Sequence, residues 1–174
     1  SRILDFGNGA GVDNVLLALS EGGSGRPHLA IYRGGVANGL TASEALPLNR
    51  WTHVAAVHRN GTAFLYFDGR LVGSVAMQRP AAVSRQFSYI GKSNWPDGRF
   101  NGMIDEVRIW NRAMSTAELI AQAYPPLASN ATGLVGYWSL NDRNNTPVNL
   151  VTGGRSTLVG GVYVPGIPTV KTVT

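Results

Sequence analysis

The chain has 174 residues, 44% hydrophobic and 14% charged, with 22 Gly, which suffices for one domain with many tight turns. Its net charge of +5 comes from 15 basic residues scattered singly, a diffuse pattern that argues against a nucleic-acid partner. The absence of Cys excludes disulfides, Cys-ligated zinc and thiol catalysis, and no apolar run reaches the roughly 18 residues of a membrane span.

In chain order, short runs rich in β-branched and aromatic residues alternate with Gly, Asn and Asp, the pattern of strands joined by turns. The expected strands cover residues 3–6, 15–19, 28–33, 51–59, 63–68, 70–76, 87–91, 103–110 and 134–140. "RNGT" (59–62) and "FDGR" (67–70) are tight hairpin turns, because Asn, Asp and Gly tolerate the positive φ of a type I′ turn. They make a meander of residues 51–76. One helix is expected in "STAELIAQAY", where Ser115 and Glu118 form a capping box and Leu119, Ile120 and Ala123 supply an apolar stripe. "PPLASNATG" (125–133) reads as a linker or surface crossing, and residues 167–174 as an extended tail. Many strands with one short helix indicate an all-β fold, an antiparallel two-sheet β-sandwich.

Four motifs then stand in order: Trp51-x-His53-Val54, the Asp68-Gly69 turn, Tyr89-Ile90-Gly91, and Gly102-x-Ile104-Asp105-Glu106-Val107-x-Ile109-Trp110-Asn111. Together they resemble the laminin-G-like, concanavalin A-like jelly-roll domains, in the branch that includes pentraxins. The resemblance covers residues 1–124 and implies a sandwich core there. Such domains open with two further strands, which would precede Ser1, and the chain is read as a piece of a longer protein. Residues 134–166 are expected to be returning strands that close the same sandwich; the alternative is the opening of a second module of this kind.

Asp105 and Glu106 stand side by side in an apolar run and raise the question of acid–base catalysis. If both lie on one strand, they point to opposite faces. Glycosidases instead need carboxyl groups converging, at about 5–5.5 Å for retention and about 6.5–9.5 Å for inversion. Related sandwich glucanases carry Glu-x-Asp-x-x-Glu, a spacing this chain lacks. Asp105 is expected to face inward with Met103, Val107 and Ile109, and Glu106 to pair with Arg108 on the opposite, solvent-facing side. His53 and His58 are expected to face opposite ways, too far apart to share a metal.

The resemblance also bears on calcium. "AGVDNVLLAL" is similar to a pentraxin segment in which Asp-Asn opens a strand and supplies ligands, matching Asp13 and Asn14. The loop "KSNWPDGRF" matches the second ligand group, through Asn94 and Asp97. One calcium ion is implied, held by Asp13, Asn14 and Asp97, because calcium takes six to eight oxygens. The plainer reading is that Asp-Asn and Pro-Asp-Gly are turn formers.

In the same loop, Trp95 lies beside Asn94 and Asp97. A flat apolar ring flanked by amide and carboxylate suits a sugar, and the alternative is an anchor that packs the loop down. The expectation is therefore a non-catalytic recognition module of an extracellular or cell-surface protein. Its partner would be a carbohydrate or cell-surface glycoconjugate, with further modules of the same chain as neighbours. The rival is a structural or adhesion spacer in a fibre.

Overall fold

In the computed structural model, residues 1–124 and 127–164 are described, so the expected tail at 167–174 and the start of the 125–133 crossing lie outside them. The described residues form ten strands and one helix, in two compact units, Ser1–Gly102 and Met103–Thr174.

The first unit is a two-sheet antiparallel sandwich. Strands β1 (Arg2–Gly7), β2 (Val15–Ala18), β3 (His28–Arg33), β4 (Val36–Thr41) and β8 (Phe87–Ile90) make one sheet in the order β4-β3-β2-β1-β8. Strands β5 (Val54–Arg59), β6 (Thr62–Phe67) and β7 (Arg70–Ala76) make the other. Side chains alternate along each strand, so every second residue enters the core. Leu17, Leu29, Ile31 and Leu40 from the first sheet meet Ala63, Leu65, Phe67 and Val72 from the second. Leu65 is completely buried.

Turn chemistry sets the registers. Asn60 and Gly61 have φ of 50° and 76°, and Asp68 and Gly69 have 49° and 78°, as type I′ turns require. Asp68 also fixes the start of β5. Its Oδ1 accepts the His53 N–H at 2.8 Å, and its own N–H donates to the His53 carbonyl at 2.8 Å. With both His53 backbone groups taken, the strand expected from residue 51 begins at Val54.

Strand β4 is absent from the sequence expectation, because Ala-Asn-Gly disfavours strands. Its Gly39 is required by packing: a Cβ there would fall 2.5 Å from His28 Cε1. The Gly34-Gly35 pair, with φ of 58° and 78°, closes the β3–β4 hairpin.

The second unit carries β9 (Val107–Trp110), α1 (Thr116–Ala121) and β10 (Leu134–Trp138), with β10 antiparallel to β9. Here three expectations change. The strand expected from residue 103 starts at Val107, and Asp105 and Glu106 precede it. Asp105 Oδ1 accepts the Glu106 N–H at 3.0 Å, and Glu106 adopts φ 54°. A side chain bonding its neighbour's N–H competes with ladder pairing. Met103 is exposed rather than inward-facing.

Glu106 is also less solvated than expected. Its side chain is 15% exposed and that of its partner Arg108 is 8% exposed. Glu106 Oε2 accepts from Arg108 Nη2 and, at 2.8 Å, from the Tyr137 hydroxyl, while Arg108 Nη1 donates to the Gln122 carbonyl. Burial, followed by the bond to Glu106, raises the Tyr137 hydroxyl pKa above its ordinary value of 10.0.

Helix α1 has the expected capping box: Ser115 Oγ accepts the Glu118 N–H at 3.3 Å, and the Glu118 carboxylate accepts the Ser115 N–H at 2.8 Å. Leu119 and Ala123 are buried, but Ile120 is 58% exposed, so the apolar stripe is narrower than expected. The Ser115 bonds, joined by Arg112, hold Glu118 at about 2, below its usual 4.5. A carboxylate with a depressed folded pKa adds stability above its unfolded pKa and loses it as pH falls. We predict that Ser115→Ala costs about 1 kcal/mol at neutral pH. Glu118→Gln should flatten the acid limb between about pH 4.5 and 2; denaturant melts at pH 7 and across that range check both.

Candidate functional site

In "RILDFG", Leu4 and Phe6 lie in register with Leu17 and Val15, while Asp5 lies opposite Leu16 and Tyr89. Alternation therefore turns Asp5, Leu16 and Tyr89 away from the core, onto the outer face of the five-stranded sheet. A carboxylate so placed would normally meet water, yet Asp5 is 0% exposed. The segment after β8 covers it. Asp5 Oδ2 accepts the Asn94 N–H at 2.8 Å, and Oδ1 accepts from Asn14 Nδ2 at 2.8 Å. Sequence reading missed Asp5, although a lone acid inside an apolar strand was the signal. Gly7 makes room for this arrangement, since a Cβ there would lie 2.2 Å from Asn14 Nδ2.

The same segment carries the expected ligand residues, and the fold brings all three together. Asn94 Nδ2 donates to the Phe87 carbonyl at 3.2 Å, and the Trp95 N–H donates to buried Ser93 Oγ at 3.0 Å. The half-buried Trp95 packs on Leu16, Ala18 and Ala30, with the Tyr32 ring at 5.4 Å and tilted by 48°. The Arg2 guanidinium lies 5.5 Å from the Trp95 centroid and pairs with Asp97 Oδ2 at 3.2 Å. Trp95 is thus an anchor whose remaining rim faces outward beside an Arg–Asp pair. On β8, Phe87 is 46% exposed, and Lys92 Nζ sits 4.2 Å from the Tyr89 centroid. Phe87 and Tyr89, two residues apart, share the outer face with Trp95. Sequence reading gives them a strand, and Tyr89 a place in a fold motif, but no binding role.

The residues matched to calcium ligands are engaged differently. Asp13 has φ 55°, and its carbonyl accepts from Arg85 Nε at 2.7 Å. Asn14 is 0% exposed, and its Oδ1 is enclosed by protein without a donor. Asp97 is spent on Arg2. Among the described residues no group of three or more His, Asp or Glu could hold a metal ion. The Arg85 guanidinium at the Asp13 carbonyl, the Arg2 guanidinium on Asp97 and an enclosed amide do not fit a hard dication that needs six or more oxygens.

Residues 1–120 match the sequence model of the concanavalin A-like lectin/glucanase superfamily. The chain belongs to that superfamily. No curated protein matches it significantly. A solved structure of a candidate carbohydrate-binding protein from Bacteroides ovatus aligns with a TM-score of 0.64 at 18% identity. That alignment covers 95% of this chain and 51% of the other. An S-layer domain-containing protein from Clostridium thermocellum aligns at 28% identity, over 71% of this chain and 62% of its own, with a TM-score of 0.41. The chain thus spans about half the length of the first structure and less than two thirds of the second.

The superfamily name joins lectins to glucanases, so the carboxylate pair must be weighed again. Glu106 accepts from Arg108 and Tyr137. Asp105 bonds the very next N–H in the chain. Both carboxylates are thus engaged by donors of the chain itself.

Proposed function

We propose that the chain is a non-catalytic carbohydrate-recognition module of an extracellular or cell-surface protein, with the outer face of the five-stranded sheet as its binding surface. The observation that carries this reading is the gathering of Phe87, Tyr89 and Trp95 on that face, beside the Arg2–Asp97 pair. Aromatic rims stack on the apolar faces of sugar rings, while a guanidinium and a carboxylate donate to and accept from hydroxyls. Carbohydrate binding ascribed to the Bacteroides ovatus relative agrees with it. Among the described residues no helix is long and apolar enough to cross a membrane.

A glycan array probed with the chain, with and without EDTA, tests the reading. Binding to a defined glycan set that survives EDTA is expected. Binding lost in EDTA would restore a cation to the site. No binding in either condition would favour a spacer or adhesion role. Polysaccharide turnover that is lost in Asp105→Asn would make the chain an enzyme.

A further inference from the structure

We infer that Asp5 is the positioning residue of the binding surface, acting through the main chain of Asn94 to set Trp95 on the sheet; this rests on the carbohydrate reading of that loop. Asp5 touches no ligand, being fully buried. Both of its carboxylate oxygens have a partner, and the two partners belong to different elements. Oδ1 takes the Asn14 amide at the start of β2, and Oδ2 takes the Asn94 N–H in the loop after β8. The acid therefore ties sheet to loop at one point. Bonds to a charged acceptor are stronger than neutral ones, and a buried carboxylate persists only where such bonds offset its desolvation.

The tie is placed one residue before Trp95, and Ser93 grips the Trp95 N–H from the other side. With residues 93–95 held, the indole has one way to lie, on Leu16, Ala18 and Ala30. Its outward rim, Arg2 and Asp97 follow from that placement. Pre-set geometry of this kind removes ordering cost from ligand binding.

Two substitutions separate positioning from general stability. Asp5→Ala leaves the Asn94 N–H and the Asn14 amide without an acceptor. Asp5→Asn offers an oxygen to Asn94 and an N–H2 to Asn14, whose carboxamide can turn over to present its unpartnered Oδ1. Asparagine should thus rescue what alanine removes.

The measurements are amide hydrogen exchange at residues 93–97, the indole N–H resonance of Trp95 (assigned with Trp95→Phe), and affinity for the array-selected glycan. In Asp5→Ala, loop exchange should accelerate by about tenfold to a hundredfold, as loss of one charge-assisted bond implies. The Trp95 resonance should shift, and glycan affinity should fall at least tenfold. In Asp5→Asn all three should stay close to wild type. Unchanged loop exchange and an unmoved Trp95 resonance in a folded Asp5→Ala would overturn the positioning role. A freed loop with undiminished affinity would overturn the link from Asp5 to binding. Should the wild type bind no glycan, the carbohydrate reading fails, while the exchange and resonance data still judge Asp5 by themselves.

Discussion

Replacing Glu106 with alanine should lower the unfolding free energy by about 3–5 kcal/mol, because it removes one partner of a buried ion pair. Arg108 would keep its bond to the Gln122 carbonyl and its position 5.3 Å from the Tyr137 centroid, but it would lose the Glu106 carboxylate. The Tyr137 hydroxyl would lose its acceptor as well. Glu106→Gln retains an oxygen for one of the two donors and should cost clearly less. Urea melts of the two variants give both numbers. A catalytic Glu106 would behave in the opposite way: either variant would abolish turnover and leave the melts nearly unchanged. The comparison therefore separates the structural reading of the "IDEV" stretch from an enzymatic one.

Replacing Trp95 with alanine should reduce glycan affinity by about thirtyfold, near 2 kcal/mol, the scale of an aromatic hot spot. It should also destabilise the fold modestly, since the ring covers Leu16, Ala18 and Ala30 without belonging to the main core. Trp95→Phe keeps an aromatic cover and should recover most of the stability but only part of the affinity. Isothermal titration beside thermal melts reads the two effects separately. If Trp95→Ala loses stability and keeps full affinity, the ring is an anchor alone, and the ligand surface would rest on Phe87 and Tyr89.

The strands were legible where alternation and turn chemistry agreed. Residues 28–33 and 70–76 were placed with the bounds they have, and both Asn-Gly and Asp-Gly turns followed from the need for positive φ. The capping box was legible from Ser115 and Glu118 alone, being a local device. Strand β4 was not, since its Gly39 answers to a histidine ring across the sheet, a non-local demand. Asp105 and Glu106 were misplaced on a strand because an apolar run does not reveal that a side chain has captured the neighbouring N–H.

In the proposed site, the grouping of Asn94, Trp95 and Asp97 could be read from the sequence because they share one loop. Asp5 could not, since 89 residues separate it from the amide it holds. The ion pair that Asp97 makes with Arg2 joins residues still further apart, so nothing in the sequence signalled it.

The Asp5 anchor grips a peptide N–H, and every residue except proline carries one. Position 94 can therefore change its side chain without loosening the fastening, and the outward groups beyond it can change as well. On the proposed reading the domain is a handle with an interchangeable tip, since the outward residues of the loop can change while the sandwich beneath stays as it is. A loop from a sugar-binding protein, grafted between Ser93 and Gly98, would inherit the same fastening.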